Sequence, residues 1–239
     1  MEQRRCWCAG LAEAGIPTSN TDADVRTFRY TGSDMKNTIY PLFACPLMVS
    51  ARTYEFSDAE EQFFDALEMV DNVGNSMSKD DRVLDNEALS ALKLFIEEQI
   101  FAFKKGLLRI RDDNDIYITQ SWINRSEPGQ FHPRHKHPNS VISGVMFLDD
   151  NADASLPPIR FHRTLEMFPL EFNFDELNEF NASCQVFDAV RGRLMLFPSL
   201  LEHDVDPNTS DRIRTSLSFN TFVKGAVGGR EQLTRVKIS

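Results

Sequence analysis

Residues 115–148 read "DIYITQSWINRSEPGQFHPRHKHPNSVISGVMFL". The stretch opens and closes in β-like runs, "DIYITQSWIN" and "SVISGVMFL", with a polar turn region of Pro, Gly and Asn between them. Working outward, similar runs recur: "LLRIR" before it, then "PPIRFHR", "CQVFDAV", "RLMLFP" and "IRTSLSFNTFV" after it. Short strands separated by turn signals at this density predict a sandwich or barrel. The region before residue 107 has a different character. "SDAEEQFFDALEMVDN" predicts a helix, with Ser57 and Glu60 as a capping box and Phe63, Phe64, Leu67 and Val70 as its apolar stripe. "NVGNSMSKDD" reads as a polar loop, and "DNEALSALKLFIEEQIFAFKK" as a second helix that stops at Gly106. "TIYPLFACPLMVS" reads as edge or bulged strands, interrupted by Pro41 and Pro46. The expected plan is mainly β with flanking helices. An extension spans 1–35, and one domain spans 36–239, with helical support over 55–106 and a β core over 107–225.

The 239 residues carry a formal net charge of -10, which argues against non-specific nucleic-acid binding and against an anionic membrane surface. No apolar run reaches the length of a membrane span, and "MEQRRCWCAGLAEAG" is too broken by charge for a secretory signal. Cys6, Cys8, Cys45 and Cys184 form no framework and read as free thiols of a reducing, cytoplasmic compartment (host cytoplasm for a viral source). Cys6 and Cys8 alone cannot close a tetrahedral zinc site.

Three of the five histidines, His132, His135 and His137, fall within six residues. In an extended chain His135 and His137 share one face, whereas His132 has the opposite parity and ranks below them. His203, after the run "RLMLFP", is the best third ligand, and His162 is less distinctive. Three imidazoles suit iron, copper, nickel or zinc. Taken singly, each histidine fits a hydrogen-bonded structural role equally well.

Downstream, Arg212, Arg214 and Ser216 share strand parity. A guanidinium fork with a neighbouring hydroxyl is how a planar carboxylate is held. For Arg212 a salt bridge to one of the many acidic residues is an equal alternative. Arg134, Lys136, Arg160 and Arg163 are candidates for drawing in an anion, or for ordinary solvated surface.

With these residues in view, the sequence resembles the iron(II)- and 2-oxoglutarate-dependent oxygenases, in particular a phage and marine bacterial group related to prolyl hydroxylases. The resemblance runs through "SWINRSEPGQFHPRHKHPNSVISGVMFL" (121–148) and "GRLMLFPSLLEHDVDPNTSDRIRTSLSFN" (192–220), with "SMSKDDRVLDNEALSALK" (76–93) matching the preceding helical region. It implies a double-stranded β-helix, a jelly roll buttressed by helices. It implies iron(II) on His135, His137 and His203, the last as the distal histidine. It also implies Arg214 on the far carboxylate of 2-oxoglutarate, with Ser216 beside it. The implied reaction hydroxylates a prime substrate with O2 and releases succinate and CO2; a peptidyl proline or a small molecule is the candidate substrate.

Two departures stand out. His137 occupies a position where most of the superfamily has a carboxylate, with Asp149 the alternative source of one. The tyrosines that relatives use near "SGVMFL" are missing, leaving Tyr117 as the one phenol of the predicted core; Asn124, Asn139 and Asn220 are the replacement hydrogen-bonding candidates. The rival readings are a non-oxidative cupin-type metalloenzyme and a barrel that binds without turnover.

Overall fold

The computed structural model describes residues 7–8, 43–164, 169–170 and 172–238. In chain order its elements are β1 (Trp7–Cys8), β2 (Met48–Val49), α1 (Asp58–Asp65), β3 (Met69–Asp71), β4 (Ser76–Ser78), α2 (Ser90–Ala102), β5 (Asn114–Ser126), β6 (His132–His135) and β7 (Ile142–Phe147). They continue with β8 (Ile159–His162), β9 (Cys184–Phe187), β10 (Leu194–Pro198), β11 (His203–Val205), β12 (Arg214–Val227) and β13 (Val236–Ile238). Strands β2-β10-β7-β12-β5-β4-β3 form the larger sheet, with β13 on β12, and β1-β9-β8-β11-β6 form the smaller one. From β5 to β8, and again from β9 to β12, each strand crosses to the opposite sheet. This is the double-stranded β-helix that the sequence led us to expect.

Side-chain alternation along the larger sheet builds two layers of core. One face, with Ile123, Ile142, Met146, Leu194, Leu196, Leu217 and Phe219, packs under α2 through Leu92, Phe95, Ile96 and Ile100. The other face turns Val145, Phe147, Met195 and Phe197 toward Ile159, Phe161 and Val205 of the smaller sheet. The helices therefore brace the outside of the barrel and leave its interior to the strands. Gly144, in the middle of β7, has a packing reason: a Cβ there would lie 2.2 Å from the Phe219 ring.

Several local expectations are corrected. The first helix, capped as predicted by Ser57 and Glu60, ends at Asp65. The "polar loop" after it is the β3–β4 hairpin, turned at Gly74 with φ 84° and stacked onto β5. Residues 107–111 form no strand, because the Leu108 and Ile110 amides bond back to Phe103 and Lys104 in a π-turn. Cys184 is disulfide-bonded, so the reading of four free thiols fails there, whereas Cys45 is free and exposed. Apart from Trp7–Cys8, the extension over 1–35 lies outside the described residues, as do Cys6 and the first residues of "TIYPLFACPLMVS". Among the described residues no helix is long and apolar enough to cross a membrane.

Candidate metal centre and anion pocket

Strand register brings the distant histidines together. β11 runs antiparallel between β8 and β6, which sets His203 directly opposite His135. His137 lies just past β6, where its amide donates to the Ser199 carbonyl at 2.8 Å. That tether is reinforced by a hydroxyl chain: the Ser199 hydroxyl lies 2.9 Å from that of Ser143 and 2.7 Å from that of Ser140. The three imidazoles present ligand atoms within 4.8 Å of one another, and Nε2 of His137 lies 3.4 Å from Nε2 of His203. Two nitrogens each about 2.1 Å from one ion sit about 3 Å apart, so this set needs only slight contraction to close on a metal.

Tautomers are held for that task. Nδ1 of His135 faces the Pro133 carbonyl at 2.8 Å, and Nδ1 of His203 faces the Leu201 carbonyl at 3.0 Å. Carbonyls only accept, so both Nδ1 atoms carry the proton and both Nε2 lone pairs face inward. Burial and the neighbouring His135 push His203 down to about 3 and His137 down to about 4; burial also lowers His135. All three are neutral at pH 7, the form that binds metal.

A cavity opens beside the triad, lined among others by Trp122, Asn124, His132, Arg214, Ser216 and Ser218. All but His132, which lies on β6 of the smaller sheet, come from the larger sheet's inner face, where Ser216 is register partner of Asn124 and Ser218 of Trp122. Arg214 is 4% exposed. Its Nε donates to the Pro157 carbonyl at 2.9 Å, its guanidinium lies 5.2 Å from the centre of the Phe147 ring, and Nη2 has no partner. Burial pulls its titration down to about 10 against the field of Asp149, so it stays charged at pH 7. A buried cation with an orphan N–H facing a cavity calls for an anion. Asn124 adds a second orphan, its Oδ1, while its Nδ2 reaches Ser218 at 3.1 Å. A neutral three-nitrogen metal set beside an unpaired guanidinium fits a divalent ion plus a dicarboxylate.

Other predicted residues fall elsewhere. Asn139 is exposed at φ 61° in the turn between β6 and β7; it serves the left-handed backbone there and does not line the cavity. Asn220 is occupied in accepting from Ser143 at 2.8 Å. Arg212 precedes β12 and pairs with Asp153 at 3.3 Å. Asp149 stays outside the triad, accepting from the Thr215 amide. Arg134 is paired with Glu202 and Arg160 with Asp204 and Asp206, so neither is free to draw in an anion, and Arg163 donates to the Phe180 carbonyl. His162 Nε2 donates to the Asp204 carboxylate at 2.8 Å, the structural role anticipated for a lone histidine. Tyr117 is exposed, and Trp122 lines the cavity.

His132 is the residue that parity misplaced. The β6–β11 register shifts by one between His203↔His135 and Val205↔His132, so β6 carries an extra residue. Such a bulge reverses the alternation. His132 therefore reaches the cavity and stacks on His135, ring centres 4.4 Å apart at 23°.

Residues 120–220 match the family described as "Putative 2OG-Fe(II) oxygenase". Over that stretch the chain is similar to the 2OG-Fe(II) oxygenases. Among solved structures the chain is similar to a 2OG-Fe(II) oxygenase family oxidoreductase from Burkholderia pseudomallei: 16% identity, TM-score 0.52, covering 73% of this chain and 83% of that one. HygX from Streptomyces hygroscopicus, solved with nickel, 2-oxoglutarate and hygromycin B, aligns at 11% identity and TM-score 0.53 over 74% of this chain and 82% of its own. A Pseudomonas putida prolyl-4-hydroxylase aligns at 16% identity and TM-score 0.50 over 74% and 92%. At these identities the likeness concerns the fold. No curated protein matches this sequence. Iron(II) and 2-oxoglutarate are the metal and cosubstrate named in the description of the matching family.

Proposed function

We propose that this protein is a 2-oxoglutarate-dependent oxygenase, a hydroxylase that holds iron(II) on His135, His137 and His203 and receives 2-oxoglutarate on Arg214, Ser216 and Asn124. The observation that carries this reading is the unpartnered Nη2 of buried Arg214, at the cavity that the three imidazoles also line. When bound, iron and cosubstrate supply the oxidation: O2 and 2-oxoglutarate become succinate and CO2, with one oxygen atom in succinate and the other inserted into a substrate C–H bond. The chain's own contribution is placement. The Pro133 and Leu201 carbonyls keep two ligand lone pairs aimed inward. The Arg214 fork fixes the far carboxylate, and Val145, Ile159 and Phe197 exclude water from the reacting end. A non-oxidative metal site would leave the guanidinium without its anion.

A peptidyl proline is the proposed prime substrate, the class named for the P. putida relative; the hygromycin B in HygX marks the small-molecule alternative. The test needs no prime substrate at first. Iron-loaded protein in air is expected to convert 2-oxoglutarate slowly to succinate, and proline-containing peptides are then screened for acceleration. Absence of both succinate and 2-oxoglutarate binding would overturn the proposal.

A further inference from the structure

We infer that His132 is a further cosubstrate-binding residue whose Nε2–H donates to a carboxylate oxygen of the bound keto-dicarboxylate; this rests on the 2-oxoglutarate reading above. The argument starts at the hairpin. Asn75, 4% exposed in the β3–β4 turn, has its Oδ1 3.1 Å from Nδ2 of Asn72 and its own Nδ2 3.3 Å from Nδ1 of His132. An amide NH2 only donates, so Nδ1 of His132 is the acceptor and the ring proton sits on Nε2. The imidazole lies flat against metal-site residue His135 and lines the same cavity as Arg214. His132 falls outside the set of ligand atoms that converge for a metal. What remains for it is a single N–H donor in the wall of the cavity that the ligand cluster and the guanidinium also line. A dicarboxylate spanning that interval presents acceptors and no donor, so the donor tautomer is the one it can use. The hairpin thus acts as a tautomer lock set behind the cavity wall.

The experiment uses the full chain loaded with zinc(II), which is redox-silent and diamagnetic, and measures 2-oxoglutarate binding by calorimetry and ring nitrogens by 15N NMR. In the unsubstituted protein His132 is expected to show a bare Nδ1 and a protonated Nε2, with Nε2 moving when 2-oxoglutarate is added. His132→Phe keeps the stacked ring and removes the donor; its affinity for 2-oxoglutarate is expected to fall about 10- to 100-fold, the usual loss for a bond to a charged group. His132→Gln, which keeps an N–H at that reach, is expected to recover most of it. Asn75→Asp replaces a donor with an acceptor, draws the proton to Nδ1, and is expected to weaken 2-oxoglutarate as His132→Phe does. Zinc affinity should be unchanged in all three. A proton on Nδ1 in the unsubstituted protein overturns the inference, and so does undiminished 2-oxoglutarate affinity in His132→Phe. If the unsubstituted zinc protein takes up no 2-oxoglutarate, the cosubstrate reading itself fails, a result distinct from either of these.

Discussion

Arg214 is the residue on which affinity and stability pull in opposite directions. Its charge is buried without an ion-pair partner among the described residues. Such a group costs folding free energy until an anion arrives. Arg214→Met is therefore expected to leave the ligand-free protein at least as heat-stable as the parent while abolishing measurable 2-oxoglutarate binding. Arg214→Lys keeps the charge and loses the planar fork, and its affinity should drop about tenfold or more. Thermal melts without ligand, paired with calorimetry, test both. His203→Ala removes the best-buried ligand and is expected to end stoichiometric metal binding, read by metal analysis after gel filtration. Much of this was legible beforehand, because period-two spacing on a regular strand put Arg214 and Ser216 on one face. Asn139 was not legible, since a side chain in a left-handed turn obeys no strand parity. His132 was hidden by a one-residue bulge that leaves no mark in composition.

At the level of elements, β7 depends on having no side chain at Gly144. Gly144→Ala is expected to destabilise by about 1–3 kcal/mol, the usual cost of overpacking, and pairing it with Phe219→Leu should recover part of that loss. Urea midpoints would measure both. The capping box at Ser57 was plain in sequence, and the helix start followed from it. The hairpin β3–β4 was not, because its strands are three residues each and split evenly between apolar and polar residues. Their stability comes from docking on β5, a tertiary contribution that local propensity does not carry. The same holds for β11, whose three residues become a strand only between β8 and β6.

For the whole molecule, acid should act through the histidines first. Burial holds His132 and His203 near 3 and His137 near 4, against an ordinary value of 6.5. The unfolded chain then binds more protons than the folded one between those limits, so stability is full above about pH 6.5 and declines as pH falls toward 3. Asp204 extends the loss. Burial alone would raise its carboxyl, but His162 and Arg160 hold it at about 2 instead of 3.8, and its contribution disappears across that lower range. Unfolding midpoints of metal-free protein from pH 7 to 3 should show this descent, and saturating zinc should move its onset to lower pH by competing with protons.

The face-to-face placement of His203 and His135 has one more consequence. Those two ligands belong to neighbouring strands at a sheet edge where one bulge already disturbs the pairing. An ion shared between them clasps β6 to β11 and forbids slippage. Deuterium uptake should therefore slow at the amides of 132–135 and 203–205 when metal is added, while exchange in α2 and β7 stays as it was.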